Sequence, residues 1–85
     1  MYEKNYQVVI TDGNESISHP VCVFYDNEVD STILNIKAIC IAIQVLLYQA
    51  LQMHDWYHVQ LAESALESIE SVNYKVEDDT ITVYA

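Results

Sequence analysis

Along the chain, apolar and polar positions switch from strand-like to helix-like spacing and back. Tyr6-Gln7-Val8-Val9-Ile10-Thr11 and Val21-Cys22-Val23-Phe24-Tyr25 are short runs rich in β-branched and aromatic residues, as strands are. Asp12-Gly13-Asn14 between them is a turn signal, and the stretch up to His19-Pro20 reads as a loop or ragged hairpin arm. Pro20 suits a sheet edge, where no N–H is asked of it. From Ser31 to about Met53 apolar residues recur at helical intervals, with Asp30 or Ser31 placed to cap the first turn. Asp55 is placed to cap a second helix over roughly Trp56 to Val72. Tyr74–Glu77 and Thr80–Tyr84 then flank Asp78-Asp79 as a second hairpin.

The order hairpin, helix, helix, hairpin predicts a small single α+β domain over residues 1–85. Its antiparallel sheet has about four strands, with both helices packed on one face.

The two helices predict different surfaces. The first carries a solid apolar face, Ile33, Ile36, Ile39, Cys40, Ile43, Leu46, Leu47 and Ala50, which belongs on the sheet. A second apolar stripe, Leu34, Ala38, Ile41, Val45 and Tyr48, has seam-like spacing of three and four. Such a helix must be covered nearly all round. The second helix covers this stripe within one chain, or the stripe is the two-fold seam of a homodimer. The second helix is amphipathic: Ala62, Ala65, Leu66, Ile69 and Val72 form an inner stripe, Glu63, Glu67 and Glu70 an outer arc, and Ser64, Ser68 and Ser71 a third.

Charge narrows the choice of partner. The 85 residues contain thirteen acids against three basic residues, all lysine (Lys4, Lys37, Lys75), for a formal net charge of −10. No basic patch can be assembled to neutralise nucleic-acid phosphates or an anionic membrane surface, so neither is an expected partner. An apolar fraction of 52% is enough to bury a core despite the charge. The first residues lack a basic stretch followed by an apolar run, so no signal peptide is expected, and Cys22 and Cys40 read as small buried thiols; both fit a cytoplasmic setting. Thr32–Leu51 is about long enough to cross a bilayer, but it contains Asn35, Lys37, Gln44 and Gln49 and has acidic flanks, so a soluble helix is expected.

Little catalytic chemistry is visible. His54 and His58 have the i, i+4 spacing of a metal-binding helix, but Asp55 replaces the glutamate of that motif and the segment falls at the interhelical turn. One glycine cannot build a phosphate-cradling loop. No cofactor, metal or enzymatic activity is therefore expected. Seven tyrosines, with Trp56 and Phe24, are more than a core this small can absorb, and tyrosine favours binding surfaces.

The leading expectation is a small acidic inhibitor that occupies a basic, nucleic-acid-binding surface of a target protein or nuclease complex, presenting carboxylates in place of phosphates. The candidate surface is Glu63, Glu67 and Glu70, joined by Glu77, Asp78 and Asp79 and by Asp26, Glu28 and Asp30. In composition the chain resembles small acidic inhibitors of phages and mobile elements, anti-restriction and anti-CRISPR proteins among them; no motif ties it to a named family. The alternative is a homodimeric adaptor or immunity-type protein that binds through its apolar helix and its tyrosines.

Overall fold

A computed structural model describes residues 1–71 and 73–85. Strands β1 (Tyr2–Thr11) and β2 (Ser16–Tyr25) form an antiparallel hairpin paired from Tyr2↔Tyr25 to Thr11↔Ser16. At its turn, Asp12 Oδ1 accepts from the N–H groups of Asn14 and Glu15, each at 2.9 Å, and Gly13 takes φ 95°. The stretch read as a loop is therefore strand. Ile17 and His19 lie opposite Ile10 and Val8 and continue the inward alternation. Pro20 lies opposite Gln7, whose N–H donates instead to Asp79 O at 3.0 Å on the far side of β1, and β2 is an edge strand; Pro20 thus interrupts no ladder bond.

Helix α1 (Ser31–Gln52) is capped by Asp30, which accepts from Thr32 N–H at 2.7 Å. It ends in paired bonds from His54 N to Leu51 O (3.2 Å) and Asp55 N to Ala50 O (2.9 Å), with His54 in the left-handed region at φ 54°. Helix α2 (Trp56–Glu70) follows at once, capped by Asp55, which accepts from His58 N–H at 3.2 Å. Strands β3 (Tyr74–Glu77) and β4 (Thr80–Tyr84) close the chain's second hairpin through Asp78 (φ 49°) and Asp79 (φ 62°), the left-handed pair that a two-residue hairpin turn requires.

The sheet order is β2-β1-β4-β3. Both hairpins are antiparallel, but β4 joins β1 in parallel, Gln7 with Thr80 and Thr11 with Tyr84, so the sheet is mixed instead of wholly antiparallel. The helices bring the chain back beside the C-terminal end of β1. β3 runs away from there along the outer edge, and β4 returns between β3 and β1. The α+β class and the element order are as the sequence implies.

The core lies between one sheet face and the helices. Tyr6, Val8 and Ile10 of β1, Val21 and Val23 of β2, and Ile81 and Val83 of β4 meet Ile39, Ile43 and Leu46 of α1 and Leu61 of α2. Ala38, Ala42, Ala62 and Ala65 are fully covered, small enough for close approach of the layers. The Tyr6 hydroxyl is buried without a hydrogen-bond partner among the described residues.

Two helical faces differ from expectation. α1 packs on both α2 and β2, so it needs two adjoining apolar faces. Its buried set is Leu34, Ala38, Ile39, Ala42, Ile43, Leu46 and Ala50, turned by about a quarter turn from the expected face. Ile33 is left 57% exposed, and Ile36, Cys40 and Leu47 are half-buried. On α2, Ala62 and Ala65 are buried as expected, but Leu66 is exposed and Ser68 is buried in its stead. Ser68 Oγ donates to Tyr84 O, which places this serine against the sheet end, while Ser64 and Ser71 stay exposed. Val72, assigned to the inner stripe, lies outside the described residues.

Candidate protein-binding surfaces

The nine candidate acidic residues are all exposed, but the fold distributes them in three places. Glu63, Glu67 and Glu70 lie along the outer side of α2, and among the described residues no cation comes within ion-pairing distance of them. Glu77, Asp78 and Asp79 form the β3–β4 turn beside the middle of β1. There Lys4 Nζ approaches Asp79 Oδ1 at 3.7 Å and Lys75 Nζ approaches Glu77 Oε2 at 3.3 Å. Two of the three lysines are thereby spent on this turn, which leaves Asp78 as its one carboxylate without an ion pair among the described residues. Asp26, Glu28 and Asp30 occupy the β2–α1 connection, beyond the Tyr2↔Tyr25 end of the first hairpin, and Asp30 is engaged as a helix cap. The helical glutamates, like Asp26 and Glu28, thus have no compensating cation among the described residues, and they alone form a continuous row on one element. At the helical rise they are spaced about 4.5–6 Å along the axis.

The start of α2 is fastened to the first hairpin by a polar cluster. Tyr57 Oη donates to Asp12 Oδ2. His58 Nε2 lies 2.8 Å from Glu15 Oε1, and His58 Nδ1 lies 2.8 Å from Asp55 Oδ2. Asp12 is held down at about 2, first by the Tyr57 hydrogen bond and then by the N–H groups of Glu15 and Asn14. Its carboxylate in turn pushes the Tyr57 phenol up to about 12, helped by partial desolvation. Each of these side chains already has a partner, so the cluster acts as a clamp. His54 is not part of it; its ring meets the edge of Trp56 with centroids 5.9 Å apart. The left-handed turn thus separates the two histidines. Among the described residues no group of three His, Cys, Asp or Glu side chains is arranged to hold a metal ion.

Of the proposed dimer seam, Leu34 and Ala38 are buried within the chain, Ile41 and Val45 are half-buried, and Tyr48 alone is well exposed at 63%. Ile41 packs on the hydrophobic core. The seam is thus largely consumed inside one chain, because α1 turns that side toward the core it shares with α2. The face left open runs through Ile33, Ile36, Cys40, Leu47 and Leu51, with Lys37, Gln44 and Tyr48 beside it. α1 is also, among the described residues, a helix long and apolar enough to cross a membrane, although its inner side is packed in this fold.

The outer face of the sheet is mostly polar, with Phe24 and Cys22 exposed on it. Cys22, expected to be buried, falls on this face because it is one residue out of step with Val21 and Val23. Partial desolvation and the Glu3 carboxylate, 3.6 Å from Sγ, push its thiol pKa up and keep it protonated. The clefts are shallow. One is lined by Asp12, Tyr57, Gln60, Leu61, Ser64 and Ala85, another by Ile17, Ser18, Leu46, Gln49, Ala50, Met53, Asp55 and His58.

Sequence reasoning did not anticipate the Asp12–Tyr57 and Glu15–His58 contacts, which join residues more than forty positions apart. No family model matches the chain, and no similar protein was found among the curated proteins or the solved structures.

Proposed function

We propose that this chain is a protein-binding inhibitor of the nucleic-acid-mimic type, which acts in the cytoplasm by docking the acidic side of α2 on a basic surface of a target protein. The observation that carries the reading is the exposed row Glu63, Glu67, Glu70, which has no lysine within reach among the described residues. A folded chain gains nothing from keeping like charges together, since neighbours at i+3 and i+4 repel by a few tenths of a kcal/mol each. Their spacing of about 4.5–6 Å is of the same order as the phosphate spacing of one DNA strand, about 3.4 Å along the axis. A Lys/Arg row built for phosphates fits such a row of carboxylates, and charge of one sign speeds encounter with it. Anti-restriction and anti-CRISPR proteins are examples of the class. An adaptor function is favoured only by the open apolar face of α1.

The test is capture from host lysate on the immobilised chain, followed by challenge of the captured protein with duplex DNA and RNA. Displacement by nucleic acid, and affinity that falls steeply between about 50 and 300 mM salt, are expected. The triple substitution Glu63→Gln, Glu67→Gln, Glu70→Gln should slow association while leaving the melting temperature unchanged or slightly higher. Binding that survives both the triple substitution and the competitor rules the reading out.

A further inference from the structure

We propose that the open face of α1 is a homodimer interface, with two copies packing their first helices antiparallel about a two-fold axis at the level of Ala42. This is independent of the acidic α2 surface. Three observations carry it.

The first is charge. From Ser31 to His54 the chain has no acid, and Lys37 is its one charged residue. Elsewhere, two copies of net charge −10 repel each other. This face is the side on which they can meet.

The second is self-complementarity, which a two-fold contact demands. At about 100° per residue, Ile33 and Leu51 lie at the same angle on the helix, at equal distances either side of Ala42. In the antiparallel pair each therefore faces the other's counterpart. By the same construction Cys40 meets Gln44, and Ile36, six residues before Ala42, comes within one residue's rise of Leu47, five residues after it. Lys37 falls on the same side as Tyr48, so the single cation of each first helix meets an aromatic ring of the other. Ile33, Ile36, Leu47 and Leu51 pair with one another, Cys40 lies against the Gln44 amide, and the Lys37 charge has a partner.

The third is area. Twenty-two residues make a helix about 33 Å long. Half the surface of such a helix is on the order of 600 Å², so two copies can bury at most roughly 1,200 Å², the lower end of the range of specific interfaces. Ile33 and Leu51, 57% and 45% exposed, supply the two ends of the contact without being needed in the core.

Sedimentation equilibrium of the full chain should give twice the 9.8 kDa monomer mass. Ile33→Glu with Leu51→Glu should return it to monomer with its helical circular dichroism intact, since both side chains are exposed. The register has its own readout. In a Cys22→Ser background, Gln44→Cys should give disulfide-linked dimers through Cys40 of the other copy when treated with diamide, whereas Cys22→Ser alone should not. A monomer throughout the concentration range, a dimer indifferent to the double substitution, absence of the Gln44→Cys crosslink, or a monomer that co-sediments with phosphatidylcholine vesicles overturns the proposal.

Discussion

The two helices share one layer of the fold and are held there by different forces. α1 has no side-chain hydrogen bond beyond its own turns and cap among the described residues; Gln52 Nε2 donates to Tyr48 Oη at 2.8 Å within the helix, and Asp30 caps its start. Burial alone orients it. α2 is fastened to the sheet at both ends, through Tyr57–Asp12 and His58–Glu15 at the start and through Ser68 to Tyr84 O at the other. An apolar helix can bury many of its residues and still leave an apolar face open. A helix held by polar clamps can give a row of its outer side to glutamates.

The contrast breaks most visibly in α1. Ile39→Ala should cost about 2–5 kcal/mol, because Ile39 is fully buried. In the monomer, at protein concentrations too low for self-association, Ile33→Ala should change stability by less than about 0.5 kcal/mol, because Ile33 is 57% exposed there. Urea midpoints of the two variants compare them directly, and equal losses would mean that α1 is turned otherwise. Removing the caps is the next largest effect. Asp30→Ala and Asp55→Ala should each cost about 0.5–2 kcal/mol. Asp55→Ala should cost the more, because Asp55 also holds His58 Nδ1 at 2.8 Å. Thermal melts of the pair test the order.

The smallest effect is the pH response of the α2 clamp. Asp12 is held at about 2 against an ordinary 3.8, so its contribution is present above pH 3.8 and lost as pH falls toward 2. Tyr57 is raised from 10 to about 12, so its share is present below pH 10 and lost as pH rises toward 12. Tyr57→Phe should flatten both limbs of a stability–pH profile measured by chemical denaturation. A profile identical to that of the wild type would show that the clamp does not hold α2.

What was legible in the sequence was local. Asp30, Asp55 and the Asp78-Asp79 turn act within four residues of where they stand, and each does what its position suggested. The facing of α1 was not legible, since a helix apolar on nearly every side offers no single angle to prefer. Ser68 looked like surface until Tyr84 O was brought to it. The parallel meeting of β1 and β4 depends on partners from the two ends of the chain, which no periodicity encodes. The acidic row of α2 could be read as a row, but which lysines stood elsewhere could not; Lys4 and Lys75 are drawn to the β3–β4 turn by the sheet's register.

That central pairing also sets the order of events in synthesis. Gln7 to Thr11 find their neighbours only when Thr80 to Tyr84 have left the ribosome. Until then the first hairpin has an open strand edge, and the emerging helices have half a sheet to lie on. Local hairpins and helices form in microseconds, but the contact that completes this layer closes a loop almost as long as the described chain. The nascent protein therefore carries α1, its stickiest segment, incompletely covered from its emergence until β4 has followed it, and its risk of aggregation is greatest in that interval.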